Sequence, residues 1–251
     1  MIEIFILSLI QGVTEFLPIS SSSHLIIASD YLKLENNLSI DVSLHIGSFL
    51  AVLAYFYKDI LNFYENKVLF IKIVISSIPV MLSGIILIET NFIEKIRNIE
   101  VIALTTIVFG ILLFISDKFK NEKNIEKNFS FKSAIYIGVL QILSLIPGVS
   151  RSGIAITAAR FLKFKRIDSA KISFLISIPI LGAVSIFGLK NILFAESQYD
   201  AKINIFAIIL AFLFSLITIK FFLKYLNKFS LNIFVYYRVL LGIILLILAY
   251  S

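Results

Sequence analysis

Residues Gln11 to His24 read QGVTEFLPISSSSH, and the architecture turns on how this stretch is accommodated. It lies inside an apolar N-terminal segment, Met1 to Ala28, long enough to cross a bilayer. Yet it places a glutamate, a proline, four serines and a histidine where a span should be most apolar. Ionisable groups at membrane depth are expensive and face the protein interior, so they mark functional sites by default. A second stretch, PGVSRSG from Pro147 to Gly153, puts Arg151 in an equally improbable position within the apolar region Phe131 to Leu162. We expect both regions to be re-entrant hairpins whose tips meet, because non-helical backbone is tolerated at membrane depth only inside protein or beside a wet cavity. The alternative for each region is a single Pro-kinked span.

The rest of the chain has the composition such hairpins need around them. Of its 251 residues 59% are hydrophobic, and the mean hydropathy is +0.98, far above soluble domains. This is the profile of an all-α polytopic membrane protein. Glu3 stands where a signal peptide would be basic, and the polar tip interrupts the apolar stretch, so no cleaved leader is expected. Cysteine is absent, which excludes disulfides and thiolate metal sites. The net charge of +7 is ordinary for a membrane protein with basic loops, and no nucleic-acid partner is expected.

Six further apolar runs approach the roughly 20 residues that cross a 30 Å core at 1.5 Å per residue. They lie near Ile40 to Tyr57, Val68 to Ile88, Ile99 to Ile115, Ile172 to Phe194, Ile203 to Phe222 and Ile233 to Tyr250. The expected order is hairpin and three spans in residues 1–116, a cytoplasmic linker in 117–130, and hairpin and three spans in 131–251. A hairpin returns to its own side while three spans cross, so the second repeat must be inverted relative to the first. The tripeptide Ser-Ile-Pro also recurs, at Ser77 to Pro79 and Ser177 to Pro179, but in non-equivalent spans.

Cytoplasmic loops carry excess lysine and arginine, and this layout separates them sharply. One side receives Lys58, Lys67, Lys118, Lys120, Lys123, Lys127, Lys132, Arg160, Lys163, Lys165, Arg166, Lys171, Lys220, Lys224 and Lys228; the other receives Lys33, Lys95, Arg97, Lys190 and Lys202. Fifteen against five places the first hairpin's opening, and both termini, outside.

Gln11 and Glu15 are four apart and share a helical face on the first arm. Pro18 is expected to end that arm. Serine is a favoured helix N-cap, so Ser20 to Ser23 suit the start of the returning arm, with His24 in its first turn or so. A helix starting inside the membrane aims free N–H groups and the positive end of its dipole at the cavity, which suits an anion such as phosphate. In the second hairpin Gly148 and Gly153 are expected to permit tight turns around Ser150, Arg151 and Ser152. That makes a second N–H-lined cradle, with Arg151 binding phosphate oxygens bidentately. Taken singly, each residue has a plainer reading: a cap, a core histidine, an arginine paired across a bundle. Their conjunction at two corresponding tips points to a site, and His45 is the only other histidine.

The pair QGVTEFLPISSSSH and PGVSRSG closely resembles the two signature motifs of the undecaprenyl-diphosphatase family of bacterial membrane phosphatases, also called bacitracin-resistance proteins. The likeness extends to LHIGSFLAVL around His45, SSIP at Pro79 and SFLISIPILGA around Pro179. The resemblance implies hydrolysis of a prenyl diphosphate lipid carrier to its monophosphate, at the outer face of the bacterial plasma membrane, in support of cell-wall synthesis. It also implies a divalent metal, Mg2+ or Ca2+, and an inverted-repeat fold with re-entrant helices. Carried over, the acidic motif falls on Gln11 and Glu15, the serine and histidine on Ser21 and His24, and the arginine motif on Ser150, Arg151 and Ser152. Gln11 stands at the first acidic position, and Ser23 stands where a glycine is expected.

Phosphoryl transfer requires positioning, charge stabilisation and an oriented nucleophile. Ser21 is the expected nucleophile, with Glu15 as general base or metal ligand and Arg151 stabilising the phosphoryl oxygens. His24 is left as orienter, acid or alternative nucleophile. Gln11, Ser20, Ser22, Gly148, Ser150, Ser152 and Gly153 are expected to line the headgroup site, with the prenyl tail among the spans. Self-association into a homodimer stays open. A lipid-phosphate flippase or other secondary carrier is the competing class, and a channel a weaker third.

Overall fold

The computed structural model describes residues 1–31, 38–90, 96–193 and 198–250. Lys33 and Lys95, two cations of the charge reading, lie outside these. Among the described residues the chain is helical, without strands; only a single bridge joins Lys123 to Phe164. In chain order the helices are α1 (Ile2–Thr14), α2 (Ser21–Tyr31), α3 (Leu38–Tyr55), α4 (Tyr57–Asn62), α5 (Lys67–Glu89) and α6 (Ile99–Asp117). There follow α7 (Ile125–Asn128), α8 (Phe131–Gln141) with a 3-10 turn at Ile142–Leu145, α9 (Arg151–Phe161), α10 (Arg166–Leu193), α11 (Gln198–Leu226) and α12 (Asn232–Tyr250).

Five of the six expected spans form helices long and apolar enough to cross a membrane: Lys67–Leu87, Ile99–Asp117, Arg166–Gly188, Ala201–Leu226 and Asn232–Tyr250. Their outward faces carry apolar side chains that a water-soluble protein would bury, such as Phe187 at 86% and Ile186 at 78% exposure. The chain is a multi-pass membrane protein. The sixth expected span is α3, whose apolar part, Ser39–Tyr55, is shorter. Along it stand Asp41, His45 and three serines, Ser39, Ser43 and Ser48.

Those polar and small residues make α3 the scaffold of the interior. Ser43, Gly47 and Ala51 recur every four residues along it, and Gly47 packs on Ala211 of α11, a meeting of small residues that lets the two backbones approach. A Cβ on Gly47 would lie 2.5 Å from the Ile208 carbonyl oxygen. Helix α3 also packs on α10, and α10 on α5; α1 packs on α11, and α8 on α5; α9 packs on α6, and α6 on α12. The two Ser-Ile-Pro segments meet at the α5–α10 crossing, where the Ser77 hydroxyl donates to the Ile176 carbonyl at 3.2 Å.

The 117–130 segment is docked against the chain on either side of it. Buried Asp117 accepts from Arg160 Nε at 3.3 Å, Arg166 Nε at 2.8 Å and the Leu231 N–H at 3.1 Å. These partners come from the end of α9, the start of α10 and the turn before α12, so one carboxylate closes the basic end of the bundle.

Candidate active site

Each of the two polar tips is built by a local interruption that the sequence dictates. Helix α1 ends at Thr14, with Glu15 as its C-cap, earlier than the proline itself. The reason is that Pro18 lacks an N–H and its ring clashes with the carbonyl four residues back, which is Thr14. Phe16 then anchors the turn in the core, fully buried and edge-on to Phe174 at 5.2 Å. In the second tip Gly148 takes φ +91° and sits so close to α6 that a Cβ would collide with Thr105 Oγ1 and lie 2.6 Å from the Ile102 carbonyl oxygen.

Both returning helices start behind a serine in a left-handed conformation, Ser20 at φ 74° and Ser150 at φ 71°. Such residues cost on the order of 1–3 kcal/mol and persist only where surrounding contacts over-determine them. Ser150 caps α9 by accepting from the Gly153 N–H at 3.1 Å. Gly153 is therefore part of the helix and not a turn. Its small size serves packing instead, since a Cβ there would lie 2.9 Å from Arg238 Nη1 and 3.1 Å from Ser150 Cβ.

The tips are tied directly to one another. Ser152 Oγ donates to the Leu17 carbonyl at 2.7 Å, and Arg151 Nη2 donates to Glu15 Oε1 at 2.5 Å. Arg238 of α12, fully buried, spans both: Nη1 donates to Pro18 O at 3.2 Å, Nη2 to Gly148 O at 2.9 Å and Val149 O at 3.1 Å, and Nε to Thr106 O on α6 at 3.1 Å.

Glu15 is the hub. Its Oε1 holds Arg151, while its Oε2 accepts from Ser21 Oγ at 2.6 Å and from Gln11 Nε2 at 3.1 Å. Behind it, Gln11 Nε2 also donates towards His45 Nδ1 at 3.1 Å and Ser48 Oγ at 3.4 Å. Turning the Gln11 amide over would set its oxygen against the Glu15 carboxylate, so the network fixes which end is which. Two buried polar atoms in this cluster have no protein partner: Gln11 Oε1, an acceptor, and Arg151 Nη1, a donor. One acceptor and one donor in this cluster are thus left to pair with something other than protein. Among the described residues no three of His, Cys, Asp and Glu gather to hold a metal. The oxygens of Glu15 and Gln11 nevertheless fit Mg2+, which usually takes one or two carboxylates plus substrate phosphates and retained waters.

His24 lies apart from that cluster. Its Nδ1 is 2.7 Å from the Ser20 carbonyl, which can only accept, so Nδ1 carries the hydrogen and Nε2 of the neutral ring accepts from Tyr237 OH at 2.6 Å. Ser20 Oγ contacts Ser23 Oγ at 2.9 Å and Ser22 Oγ at 3.3 Å, closing the first tip on itself. Thus Gln11, Glu15, Ser21 and Arg151 come together, Ser20, Ser22, Ser150 and Ser152 shape the tips around them, and His24 faces Tyr237. Sequence reasoning passed over Arg238, Tyr237, Ser48 and a role for His45. Arg238 carried a readable signal, a cation inside the apolar run Ile233 to Tyr250.

The family model of bacitracin resistance protein BacA matches residues 4–244. The undecaprenyl-diphosphatase of Pelagibacter ubique is 48% identical over 252 residues, covering 100% of this chain and 98% of that protein. The undecaprenyl-diphosphatase of Saccharophagus degradans is 41% identical over 251 residues, 94% of this chain and 93% of its own length. That of Jannaschia is 36% identical over 263 residues, 99% and 98%. The chain belongs to the bacitracin resistance protein BacA family.

Proposed function

We propose that this chain is a membrane phosphatase that hydrolyses undecaprenyl diphosphate to undecaprenyl phosphate and inorganic phosphate. The observation that carries the chemistry is the Glu15 carboxylate, joined to the Ser21 hydroxyl through one oxygen and to Arg151 through the other. Nucleophile, base and cation meet on one group. Glu15 Oε2 takes the Ser21 proton as Oγ bonds to the terminal phosphorus and the bond from phosphorus to the bridging oxygen breaks. Undecaprenyl phosphate departs with the bridging oxygen and its electron pair. Water then attacks the phosphorus of the phospho-serine, the bond from phosphorus to Oγ breaks, Glu15 Oε2 returns its proton to Oγ, and the water oxygen leaves with the phosphate. Arg151 Nη1, free of any protein partner, is the donor available to the phosphoryl oxygens while Nη2 stays on Glu15. The first N–H groups of α2 and α9 add to it. A divalent cation, Mg2+ or Ca2+, held by Glu15 and Gln11 Oε1, supplies charge neutralisation when bound. His24, fixed by Ser20 and Tyr237 with its one hydrogen on the Ser20 carbonyl, orients the diphosphate.

Phosphate release from undecaprenyl diphosphate by the purified chain in detergent tests this directly, since a flippase or carrier needs no hydrolysis. Arg151→Ala in the same assay should lower turnover about a hundredfold, the usual cost of losing one charge-stabilising donor. Arg151→Lys should fall between, because a point charge cannot reproduce the guanidinium fork. Near-normal turnover in a well-folded Arg151→Ala preparation would make the arginine structural.

The same proposal takes α3 as the sixth span and the two tip regions as re-entrant hairpins of inverted repeats, 1–116 and 131–251, joined by a cytoplasmic linker. Two observations support it. The packing pairs α1 with α11, α8 with α5, α3 with α10 and α6 with α12 are unchanged when the halves trade places. The strained serines Ser20 and Ser150 stand at corresponding points before α2 and α9. With the charge asymmetry, the first hairpin then opens to the outer face of the plasma membrane, and the site is complete within one chain. Cysteines at Lys120 and Lys165 should react with an impermeant reagent only after the cytoplasmic face is opened, and one at Arg97 in intact cells. Reversed labelling would sink the outward-facing site.

A further inference from the structure

We propose that His45 is a positioning residue of this site: by accepting from the Gln11 side-chain amide it keeps the amide oxygen free for the bound headgroup and its cation. The inference rests on the phosphatase reading above and assigns a role within it. Gln11 is fully buried, so its amide cannot turn to water. Its nitrogen has two hydrogens and three neighbours to share them: Glu15 Oε2 and His45 Nδ1, both at 3.1 Å, and Ser48 Oγ at 3.4 Å. Its oxygen has no protein partner. A buried, unsatisfied acceptor is held only if the alternative is worse. With the amide turned over, the oxygen could receive the Ser48 hydroxyl, which would satisfy it and withdraw it from the ligand. Two acceptors oppose that state, the Glu15 carboxylate and the lone pair of His45 Nδ1.

For Nδ1 to accept, the His45 hydrogen must sit on Nε2, on the side of α3 that carries Asp41 one turn earlier. The position of His45 is set by the α3–α11 contact, where Gly47 admits no side chain against Ile208 and Ala211 and Ser48 bonds Ser215 Oγ at 3.0 Å. The imidazole is thus a fixed acceptor behind the glutamine, a second group opposing the turned amide beside the Glu15 carboxylate. This arrangement suits the amide at this position in particular, since a carboxylate there would need a donor from His45 rather than an acceptor.

The test uses the full chain in detergent, labelled with 15N-glutamine. There are three glutamines, Gln11, Gln141 and Gln198, so the Gln11 side-chain amide is assigned by its loss in Gln11→Ala. In the unaltered protein its two protons should be well separated and slow to exchange with water. His45→Ala should shift that pair and speed its exchange, and should lower kcat/KM about ten- to hundredfold, as loss of an outer-shell partner does. His45→Asn, whose carbonyl falls where Nδ1 was, should restore both readouts, while His45→Gln, reaching one carbon further, should not. In a Gln11→Ala background His45→Ala should cost nothing more. An unchanged Gln11 amide in His45→Ala, an Asn variant as impaired as Ala, or a full His45→Ala loss without Gln11 would each overturn the assignment. If His45→Ala does not fold, the Asn and Gln variants decide it, and equal behaviour of the two overturns it. Should the unaltered chain release no phosphate while the amide responds as expected, the positioning stands and the phosphatase reading fails.

Discussion

Ser21→Ala should abolish turnover, by several orders of magnitude and towards the roughly 10⁶-fold seen when a catalytic nucleophile is removed, while leaving diphosphate binding nearly intact. The split follows from where the groups stand. Ser21 contributes its hydroxyl to Glu15 at 2.6 Å, whereas the unpartnered atoms available to a headgroup, Arg151 Nη1 and Gln11 Oε1, belong to other residues. Removing Oγ also deletes one hydrogen bond to Glu15, but Arg151 and Gln11 still satisfy that carboxylate, so the fold should be little affected. His24→Ala should behave differently. His24 touches neither Glu15 nor Ser21 and is held between Ser20 and Tyr237, so its loss should leave residual activity whose pH profile has lost one limb. An active Ser21→Ala beside an inactive His24→Ala, with phospho-histidine trapped from the unaltered chain, would reverse the two assignments.

What could be read from the sequence was whatever is improbable in a membrane. Glu15, Ser21 and Arg151 stood out because apolar surroundings make each of them costly, and these are the residues that meet. The long apolar helices were legible for the converse reason, and so was the apolar run of the shorter α3, although its Asp41, His45 and serines build the interior. Gly148 announced a turn and makes one. Ser20 and Ser150 did not announce theirs, since a non-glycine residue takes positive φ only when tertiary contacts enforce it, here Phe16 on Phe174 and Ser152 on Leu17. Gly153 pointed to a turn for the same local reason and is in fact a helical residue leaving room for Arg238. Which side chain lies behind Gln11 is a matter of how α1, α3 and α11 pack, and no spacing within one segment encodes it.

Replacing Arg238 should produce the largest loss of stability of any single change near the site. The guanidinium is fully buried, and its recorded partners are all backbone carbonyls: Pro18 of one tip, Gly148 and Val149 of the other, and Thr106 of α6. Arg238→Met keeps much of the volume but removes every donor: the Pro18 and Val149 carbonyls are stranded in the interior, while Gly148 O keeps Thr106 Oγ1 at 3.4 Å and Thr106 O keeps its place in the α6 ladder. Each stranded group costs about 1–3 kcal/mol, so the pair forfeits a large share of the stability of an ordinary domain. Even a loss of about 4 kcal/mol would lower the melting temperature by roughly 8–16 °C at 2–4 °C per kcal/mol. Arg238→Lys can satisfy only part of the set from one ammonium and should fall between. Gly153→Ala should move in the same direction by a smaller step, because its methyl would press on Nη1 at 2.9 Å and a guanidinium pinned to four carbonyls has little room to give. Thermal unfolding and phosphate release measured on the same preparations separate this role from chemistry. Arg238→Met should lose stability and turnover together, whereas Ser21→Ala should lose turnover alone. A stable but inactive Arg238→Met would instead assign the buried charge to the anion, with water or neighbouring donors taking over the carbonyls.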